Sequence, residues 1–355
     1  MAIKLSDIAK IAGVSKTTAS RALSNPSRVS PKSRSLVQKA AKKLNYVSNG
    51  VAQALSNRKT KIIGAVVPSL ENAIYAISMQ GLEIELAKYG YTLLIASHGF
   101  NLSQEITAVT SLIGRGVDAL TLVGVTHDPK TFSLIDRAGI PYVCSWNYRH
   151  KKSKHQMIGF DNQKAGEILV DHLVSLGHQK IAVISGVLKG NDRAKDRVIG
   201  IRRALNRHQL NLLDHFLIEK PYGFSGGGIG LSTLLKMKDP PTAIICGNDL
   251  LAIGAIAEAE KAGVKVPKDL SITGFDGMEI SGLIKPALTT ISIPMFQLGV
   301  NVANFLLAEL GETTRSHPFE LKFSLLIRDS TSSAPKLNGG ISDISLSNPR
   351  KSSIN

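Results

Sequence analysis

The feature that most constrains the fold of this chain is an alternation of short apolar runs and helical stretches that begins near residue 61. The runs at residues 62–67, 119–123 and 181–185 have almost no polar position. Strands buried on both faces of a parallel sheet have this composition, and the helices between them cover those faces. The alternation starts again after residues 157–160. It therefore predicts an α/β body of two doubly wound parallel-sheet lobes.

The order of these elements sets the expected domain boundaries. A last helix over 295–310 and a strand over 319–327 follow the second series and return to the body. In sheets of this kind ligands bind at the carboxyl ends of the strands, so we expect a site in the cleft between the lobes. The body is predicted to cover 62–330, with one lobe over about 62–160 plus 293–319 and a second over about 161–292 plus 320–330.

Three segments lack the composition of buried elements. Residues 331–355 consist largely of Ser, Asn, Pro, Gly and Lys, so we predict that this tail is disordered. The glycine-rich run 226–230 matches neither of the common phosphate-binding glycine motifs, and we interpret it as a flexible loop. The basic segment 149–155 is interpreted as a solvated loop.

The charge of the chain is concentrated at its N-terminal end. Residues 1–61 contain thirteen Lys and Arg and a single acid, Asp7, which gives this segment a net charge of +12. The other 294 residues contain thirty Lys and Arg against twenty-six Asp and Glu. Such a cationic segment indicates a polyanionic partner. Nucleic acid is the first candidate, an anionic membrane surface is the second, and a merely solvated basic domain is the third.

Residues 1–46 are predicted to form three short helices. Ser6 is a candidate N-cap for the first helix, which Gly13 would end in a left-handed conformation. Ser15 opens a second helix and Ser30 opens a third. Two helices joined by a tight turn that contains glycine are typical of the helix-turn-helix motif. We therefore predict a small all-α DNA-binding headpiece.

The second helix has the face that a DNA-reading helix needs. Projected at 100° per residue, it carries Lys16, Thr17, Ser20 and Arg21 on one face and small apolar residues on the other. Such side chains reach base edges and phosphates in a major groove. An ordinary amphipathic surface helix is the alternative, and the preceding turn and the charge asymmetry favour DNA. Residues 47–61 form a linker that is too short for a stable isolated helix.

The sequence also excludes several classes of protein. Cys144 and Cys246 lie in apolar runs, so we expect buried thiols and a reducing compartment. No apolar stretch approaches the length of about 20 residues that spans a membrane, and no signal peptide is evident, so we expect a cytoplasmic protein. Metal-binding spacings, nucleotide fingerprints and a nucleophile–base pair are not evident. We therefore expect no metal, no cofactor and no enzymatic activity.

Eight motifs in a fixed order support a resemblance to a known family. They are AGVS..T.SR.L at 12–23, VAQAL at 51–55, GFDN at 159–162, LGH..IA.I.G at 176–186, R..G...AL at 197–205, CGND..A.GA at 246–255, P.D.SI.GFD at 267–276 and P.LTTI at 286–291. In this combination the chain resembles the lac repressor–galactose repressor (LacI/GalR) family of bacterial transcription factors over residues 4–328. The resemblance implies a sequence-specific DNA-binding regulator, usually a repressor, with a periplasmic-binding-protein-like body.

The resemblance also assigns candidate DNA contacts. Leu55 stands where the family wedges a leucine between central base pairs, from paired hinge helices in the minor groove. Packing of Leu55 against the body is the alternative. The family implies a homodimer on a pseudo-palindromic double-stranded DNA operator, and it is open whether two dimers form a tetramer. The candidate contacts in the headpiece are Lys16, Thr17 and Arg21 for bases, and Ser15, Thr18 and Ser20 for phosphates.

The same resemblance implies a small-molecule effector, commonly a sugar or a sugar derivative, in the cleft. Carboxylates and a guanidinium suit vicinal hydroxyl groups, and the guanidinium equally suits the carboxylate or phosphate of an acidic sugar. For Asp161 and Asp249 the alternative role is helix N-capping, and for the aromatic candidates it is core packing. The candidate effector contacts are Tyr75, Trp146, Asp161, Arg197, Asn248, Asp249 and Asp276.

Two departures from the family keep the specificity open. Lys16 and Thr17 differ from the recognition pair of the lac repressor, and Pro68 stands where some relatives have a small polar ligand contact. Two other classes share features with this chain. A solute-binding protein of transport shares the two-lobed architecture, but it would need a signal peptide and no basic headpiece. A sugar-processing enzyme would need fingerprints that are not evident here.

Overall fold

The computed structural model describes residues 3–24, 28–46, 59–149, 154–314, 317 and 319–335. Residues 47–58 of the predicted linker, which include Leu55, lie outside the described residues, as do residues 150–153 of the basic segment and residues 336–355 of the predicted tail. No helix in the described ranges is long and apolar enough to cross a membrane.

The headpiece consists of three helices, α1 (Leu5–Ala12), α2 (Lys16–Ser24) and α3 (Pro31–Lys43). Gly13 adopts the predicted left-handed conformation, with φ of 64°, and so turns the chain sharply from α1 towards α2. The Ser15 hydroxyl accepts a hydrogen bond of 3.0 Å from the Thr18 backbone N–H and caps α2. Ile8, Ala19 and Val37, one from each helix, are fully buried, so the three helices share a small apolar core.

The prediction of Ser6 as the N-cap of α1 is wrong. The helix begins at Leu5, so Ser6 lies within the first turn and cannot cap it. The N-cap position belongs to Lys4, and its backbone N–H donates a hydrogen bond of 2.8 Å to the carboxylate of Asp7 in the first turn.

The first lobe contains a five-stranded parallel sheet in the order β2-β1-β3-β4-β5. In the β1–β2 pair, Ile62 lies opposite Thr92 and Val67 lies opposite Ser97. Helices on both faces bury the apolar strands, as continuous apolar runs require. The strands are β1 (Ile62–Val67), β2 (Thr92–Ser97), β3 (Ala119–Val123), β4 (Tyr142–Ser145) and β5 (Met157–Ile158), and the helices are α4 (Ala73–Ala87), α5 (Leu102–Gly114) and α6 (Pro129–Ala138).

The second lobe repeats this arrangement with a sixth strand. Its sheet has the order β11-β10-β9-β8-β6-β7 and is parallel except for β11, which runs antiparallel to β10. The strands are β6 (Ile181–Ser185), β7 (Leu217–Glu219), β8 (Ala243–Cys246), β9 (Ser271–Asp276), β10 (Thr289–Ser292) and β11 (Ser324–Leu326), and the helices are α7 (Asn162–Ser175), α8 (Asp192–Arg207), α9 (Phe224–Leu235) and α10 (Asp249–Lys261). The predicted fold class is therefore confirmed.

The chain passes between the lobes three times. It leaves the first sheet after β5, returns after β10 through α11 (Met295–Glu309), and enters the second sheet again at β11. Helix α11 packs against α4 of the first lobe so closely that a side chain at Gly299 would collide with the Ser78 carbonyl oxygen. In both sheets the strand order reverses next to the first strand, so β1 and β3, and β6 and β8, flank the positions where doubly wound sheets bind ligands.

The prediction that the glycine-rich run 226–230 forms a flexible loop is wrong, because this run lies inside helix α9. A β-carbon at Gly227 would collide with the carbonyl oxygen of Leu251 in α10, and one at Gly254 would collide with that of Phe224. The glycines therefore let the two helices approach backbone to backbone. This close packing offsets the conformational entropy that glycine loses in a helix.

The prediction that the disordered tail begins at residue 331 is wrong for residues 331–335, because this segment is bonded to the second lobe. The Ser332 backbone N–H donates to the Ser271 hydroxyl over 3.1 Å, and the ring of buried His178 donates to the Ser332 carbonyl oxygen over 3.0 Å. The Ala334 N–H donates to the carbonyl oxygen of Leu176 over 2.8 Å. Polar contacts hold this segment, so its low apolar content was misleading.

Two carboxylates attach the end of the linker to the first lobe. Glu312 accepts hydrogen bonds of 2.9 Å from the side chains of both Lys59 and Lys61. Asp118 accepts hydrogen bonds from the backbone N–H groups of Thr60 and Lys61, over 2.9 and 2.8 Å. The hydrogen bonds from Lys61 and Lys59 lower the pKa of the Glu312 carboxyl to about 2. The point at which the linker enters the body is therefore fixed to the first lobe.

Substitution of Gly254 by alanine tests the close packing of α9 on α10. We expect Gly254→Ala to destabilise the body by ~1–3 kcal/mol, because the added methyl group collides with backbone that cannot move away easily. Gly228→Ala in α9 is the matched control, because its β-carbon would lie 3.6 Å from the nearest atom, an ordinary contact. This control should be neutral or stabilising, since alanine has the higher helix propensity. Thermal unfolding midpoints give the comparison, and equal midpoints for the two variants would contradict the packing argument.

Glu312→Gln tests the attachment of the linker through its pH dependence. Because the pKa of Glu312 is depressed in the folded protein, its contribution to stability is full above about pH 4.5 and is lost as the pH falls towards about 2. The lysines are partly exposed, so we expect a loss of no more than ~1 kcal/mol at neutral pH. The difference in unfolding midpoint from the unsubstituted protein should shrink on acidification. Exposed Glu309, the last residue of the preceding helix α11, supplies the control Glu309→Gln, and an equal effect there would remove the special role of Glu312.

Candidate nucleic-acid interface and ligand cavity

Helix α2 presents its predicted contact residues on the outside of the headpiece. Lys16, Thr17 and Arg21 are exposed, whereas Ala19 and Ala22 on the opposite face are buried. The helix has no acidic residue in its first turn, so no carboxylate there would repel a phosphate. This face can donate hydrogen bonds to base edges from Arg21 and Lys16.

The three predicted phosphate contacts, Ser15, Thr18 and Ser20, lie at the edge of this exposed face, and two of them also take part in capping α2. Ser15 is exposed, and its hydroxyl lies 2.8 Å from that of Thr18, so these two side chains also stabilise the start of α2. Thr18 and Ser20 are half-buried at the edge of the exposed face. Together with the helix N-terminus, whose N–H groups favour anions, they border the surface that carries Lys16 and Arg21.

A cleft separates the two lobes at the carboxyl ends of their strands and contains an inner cavity of about 20 Å³. The cavity has room for about one water molecule. The structure brings five of the seven predicted effector residues together around it: Tyr75 and Trp146 from the first lobe, and Arg197, Asn248 and Asp276 from the second lobe.

Four of these residues have a buried polar atom without a hydrogen-bond partner among the described residues: Nε1 of Trp146, Nε of Arg197, Nδ2 of Asn248 and Oδ2 of Asp276. Buried polar groups are almost always paired, because an unpaired one loses its hydration without replacement. Trp146 and Asp276 also have positive φ angles, of 70° and 116°. Strained backbone of this kind concentrates at functional sites, so the cavity has the features of a polar ligand site.

The Arg197 guanidinium is held only by neutral partners among the described residues. Its Nη1 donates to Asn162 Oδ1 over 3.1 Å, and its Nη2 donates to the Tyr222 hydroxyl over 3.0 Å. The guanidinium carbon lies 4.3 Å from the centre of the Phe275 ring, within the range of a cation–π contact. These contacts fix the orientation of the guanidinium and leave Nε unpaired.

The Asp276 carboxyl is fully buried at the end of β9. Burial raises the pKa of this group well above its usual value, and the charge of Asp249 adds to the effect, while Arg197 opposes it. The Tyr75 hydroxyl is also desolvated, and burial raises its pKa to about 12. The Tyr75 ring packs edge-on against Trp146, with 5.1 Å between the ring centres. The cavity is therefore largely shielded from water.

The structure does not bring Asp161 and Asp249 to the cavity. Asp161 caps α7, accepting hydrogen bonds of 2.8 and 2.9 Å from the backbone of Gln163 and Lys164, which is the alternative role considered for it. Asp249 accepts from the Met278 N–H over 2.7 Å and from the Thr290 hydroxyl over 2.6 Å. The cap of α10 is its neighbour Asn248. Burial raises the pKa of Asp249 to about 6.

Several residues that the sequence did not single out line the same cavity. Asn72 follows β1 and Asn191 follows β6, and each of these strands lies where the strand order of its sheet reverses. Only the strand order could have identified these two residues as candidates. The others are Ile74, Phe160, Arg193 and Tyr222.

An interlobe clasp closes the cleft beside the cavity. It consists of Val123, Val125, Asn147 and Arg149 from the first lobe and of Asp192, Arg193 and Asp196 from the second. Asp192 Oδ2 accepts from the Val125 N–H over 3.0 Å and from the Asn147 amide over 2.7 Å. Arg193 donates to the Val123 carbonyl oxygen over 3.1 Å and to Asp192 Oδ1 over 2.9 Å. The clasp therefore joins the two lobes through buried charged groups.

An outer chamber of about 1280 Å³ opens from the cleft towards solvent. Both lobes line it, with Phe100 and Asn101 on one side and Lys189 and Phe224 on the other. Asn72, Asn191 and Tyr222 line both this chamber and the inner cavity and so form the boundary between them. The rings of Phe100 and Tyr222 meet across the cleft, with their centres 6.0 Å apart.

Comparison with known proteins gives two matching family models. The model for bacterial regulatory proteins of the lacI family matches residues 4–49, which cover the three helices of the headpiece. The model for a periplasmic binding protein-like domain matches residues 170–331 in the body.

Individual relatives match nearly the whole chain. Catabolite control protein A of Priestia megaterium is 29% identical over 93% of this chain and 100% of its own length. The HTH-type transcriptional repressor CytR of Escherichia coli is 30% identical over 94% of this chain and 98% of its own. The crystal structure of the lac repressor dimer bound to operator and the anti-inducer ONPF superposes with a TM-score of 0.81 at 28% identity, covering 94% of this chain and 100% of that one. The chain therefore belongs to the lacI family of bacterial regulatory proteins, which are DNA-binding transcriptional regulators.

Proposed function

We propose that this protein is a sequence-specific transcriptional repressor whose affinity for its operator is controlled by a sugar or sugar derivative bound between the two lobes. The observation that carries the proposal is the exposed, acid-free face of α2, with Lys16, Thr17 and Arg21, in the most cationic segment of the chain. Such a face combines phosphate attraction with side chains that distinguish bases. The protein acts by binding, and no catalytic role is assigned to it.

The inner cavity supports effector control because both lobes contribute to it. A ligand that bonds Trp146 on one lobe and Arg197, Asn248 or Asp276 on the other is held only while the lobes are closed. It therefore binds the closed arrangement more tightly and shifts the population towards it. A coupling of about 1–3 kcal/mol, the usual size, changes operator affinity by roughly 5–150-fold.

The operator is expected to be a pseudo-palindrome read by a homodimer. The superposed lac repressor structure is a dimer bound to its operator, and the same arrangement here would give two α2 helices related by a two-fold axis. Half-sites would then lie about one helical turn of DNA apart, or a multiple of it. Leu55, outside the described residues, is proposed from its motif position to enter the minor groove between the half-sites.

Arg21→Ala tests the assignment of α2. We expect it to weaken binding to the selected operator by ~1–3 kcal/mol and to relax the preference at one base position. The operator is first selected from a random duplex library with the full-length chain and then titrated at fixed salt. Arg115→Ala removes the same charge from an exposed site on the first lobe and serves as the control. Equal affinities for the two variants would remove Arg21 from the interface, and selection of no preferred sequence would overturn the proposed function.

Trp146→Phe tests the cavity as the effector site. The substitution keeps an aromatic ring against Tyr75 and removes the unpaired Nε1 donor. A lost hydrogen bond should raise the effector concentration needed for half-maximal response by about 2–10-fold. Candidate effectors come from a thermal-shift screen of sugars, sugar acids and sugar phosphates, and the response is read as the change in operator binding. An unshifted dose–response curve, matching that of the Arg115→Ala control, would place the effector elsewhere.

A further inference from the structure

We propose that His127 positions the interlobe clasp, and that a proton shared between His127 and Glu105 sets how strongly the first lobe holds Asp192 of the second. This role concerns the joint between the two lobes and is independent of the ligand cavity and of the identity of the effector. Three observations support it: the peptide unit that Asp192 binds, the contacts of His127 behind that peptide, and the burial of the His127–Glu105 pair.

The peptide unit between Gly124 and Val125, which follows β3, links the backbone of the first lobe to Asp192. The Val125 N–H donates to Asp192 Oδ2 over 3.0 Å. Gly124 has a φ of 92°, and a β-carbon there would collide with Arg193 Nη1 and Asp192 Oδ1. The loop is therefore shaped to receive the two charged side chains at the start of α8.

His127 holds the other side of the same peptide unit. Its Nε2 donates to the Gly124 carbonyl oxygen over 3.0 Å, because a carbonyl oxygen can only accept. The C=O and the N–H of a trans peptide lie in one plane and point in opposite directions, so a hydrogen bond to the oxygen also fixes the direction of the N–H. Hydrogen bonds in such a series polarise one another. His127 therefore directs the Val125 N–H towards Asp192.

Glu105 of α5 holds the second ring nitrogen of His127. His127 Nδ1 lies 2.8 Å from Glu105 Oε2, and the Thr131 hydroxyl donates to Glu105 Oε1 over 3.2 Å. The His127 ring packs edge-on against Phe132, with 5.3 Å between the ring centres. The side chains of His127 and Glu105 are each 1% exposed, so water does not replace a contact that either of them loses.

The contact between His127 and Glu105 requires a proton. Nε2 already carries a hydrogen for the Gly124 oxygen, so the contact at Nδ1 needs a second hydrogen, on Nδ1 or on the Glu105 carboxyl. Without that proton, one lone pair of the ring must face an oxygen atom. An ionised carboxylate accepts the stronger hydrogen bond, so the remaining hydrogen stays on Nδ1 and the bond to Gly124 is lost. Loss of the proton therefore releases the peptide unit that binds Asp192.

The other titratable groups of the first lobe near this pair are neutral. His98, in the loop after β2, has its Nε2 3.7 Å from Glu105 Oε2, beyond hydrogen-bond distance. Burial lowers the pKa of His98, although Glu105 opposes this effect. Burial also lowers the pKa of His155 and raises that of the Cys144 thiol. The proton is therefore held by His127 and Glu105.

Two charged groups of the second lobe, Asp192 and Arg193, face the pair across the cleft. Burial opposes the ionisation of Asp192, but Arg193 and the hydrogen bonds from Asn147 and the Val125 N–H hold the pKa of this carboxyl below its usual value. The positive charge of His127 acts in the same direction. The protonated pair in the first lobe and the bound carboxylate of the second lobe therefore stabilise each other.

Hydrogen exchange of the Val125 amide tests this role directly. Exchange of the full-length protein is followed by mass spectrometry at single-residue resolution, at about pH 6 and about pH 9, because histidine side chains change charge between these values. The protection factor compares the observed exchange rate with the intrinsic rate at the same pH, so it reports only the opening of the bond. We expect this factor to be about 10-fold lower at the higher pH, the effect of one charged hydrogen bond. An equal or higher factor at the higher pH overturns the proposal.

Glu105→Gln separates the effect of the proton from that of packing. The amide group of glutamine can donate to Nδ1 of a neutral His127 ring while Nε2 still donates to Gly124, so every contact is kept without a proton that titrates. We expect the Val125 amide of this variant to have the same protection factor at both pH values. His215→Gln, at an exposed histidine of the second lobe, is the control and should keep the pH dependence of the unsubstituted protein. A pH dependence in Glu105→Gln as large as that of the control contradicts the role of the shared proton.

His127→Leu removes both contacts of the ring. It should lower the protection factor of Val125 at both pH values to that of the unsubstituted protein at the higher pH, or below it. Protection that equals that of the unsubstituted protein at the lower pH would show that His127 does not position the peptide.

Asp192→Ala tests whether the effect reaches the second lobe. This substitution removes the acceptor of the Val125 N–H and leaves His127 and Glu105 unchanged. If the shared proton acts through the bond to Asp192, the protection factor of Val125 in this variant should be low and independent of pH. A pH dependence equal to that of the unsubstituted protein would mean that His127 orders only its own loop, and it would overturn the role of His127 in joining the lobes.

Discussion

The closed arrangement of the body depends on the interlobe clasp around Asp192. This carboxylate is almost fully buried and bonds to groups of both lobes, Val125 and Asn147 from the first and Arg193 from the second. Burial opposes its ionisation, but Arg193, the Asn147 amide and the Val125 N–H together hold the pKa of the carboxyl below its usual value. An ion that loses one partner in such a place becomes an unpaired buried charge. Loss of any one contact of the clasp would therefore cost more than that contact alone, which favours the complete clasp.

The proposed effector control requires a connection between the cavity and the headpiece. The cavity and the clasp share the start of α8, because Arg193 belongs to the clasp and also lines the cavity. The end of the linker is bonded to Asp118 and Glu312 of the first lobe, so a change in the orientation of that lobe would carry the end of the linker with it. In a dimer, such a displacement changes the distance between the two recognition helices. Binding of DNA requires a fixed distance between half-sites, so under the proposed function a small change in lobe orientation would have a large effect on operator affinity.

The sequence predicted the architecture because local patterns define it. The lobes have apolar strands and capped helices, and the N-terminal segment is basic. It was less successful where a role depends on distant partners. Asp161 and Asp249 both follow strands, yet one caps a helix and the other bonds to the Met278 N–H and the Thr290 hydroxyl, and no local pattern distinguishes them from Asp276. Asn72 and Asn191 could be identified only after the strand order was known. The glycines of α9 were misleading because the residue that they approach, Leu251 of α10, lies more than twenty residues further along the chain.

The attachment of Lys59 and Lys61 to Glu312 changes the effective charge that the N-terminal segment offers to DNA. Two of its thirteen cations are already paired with a carboxylate of the body, so eleven are left to displace counterions from a duplex. Each phosphate neutralised adds about −0.9 to the slope of log affinity against log salt concentration. The ionic-strength dependence of operator binding should therefore reflect the cations of the headpiece and of the middle of the linker. Lys59 and Lys61 should contribute little to it.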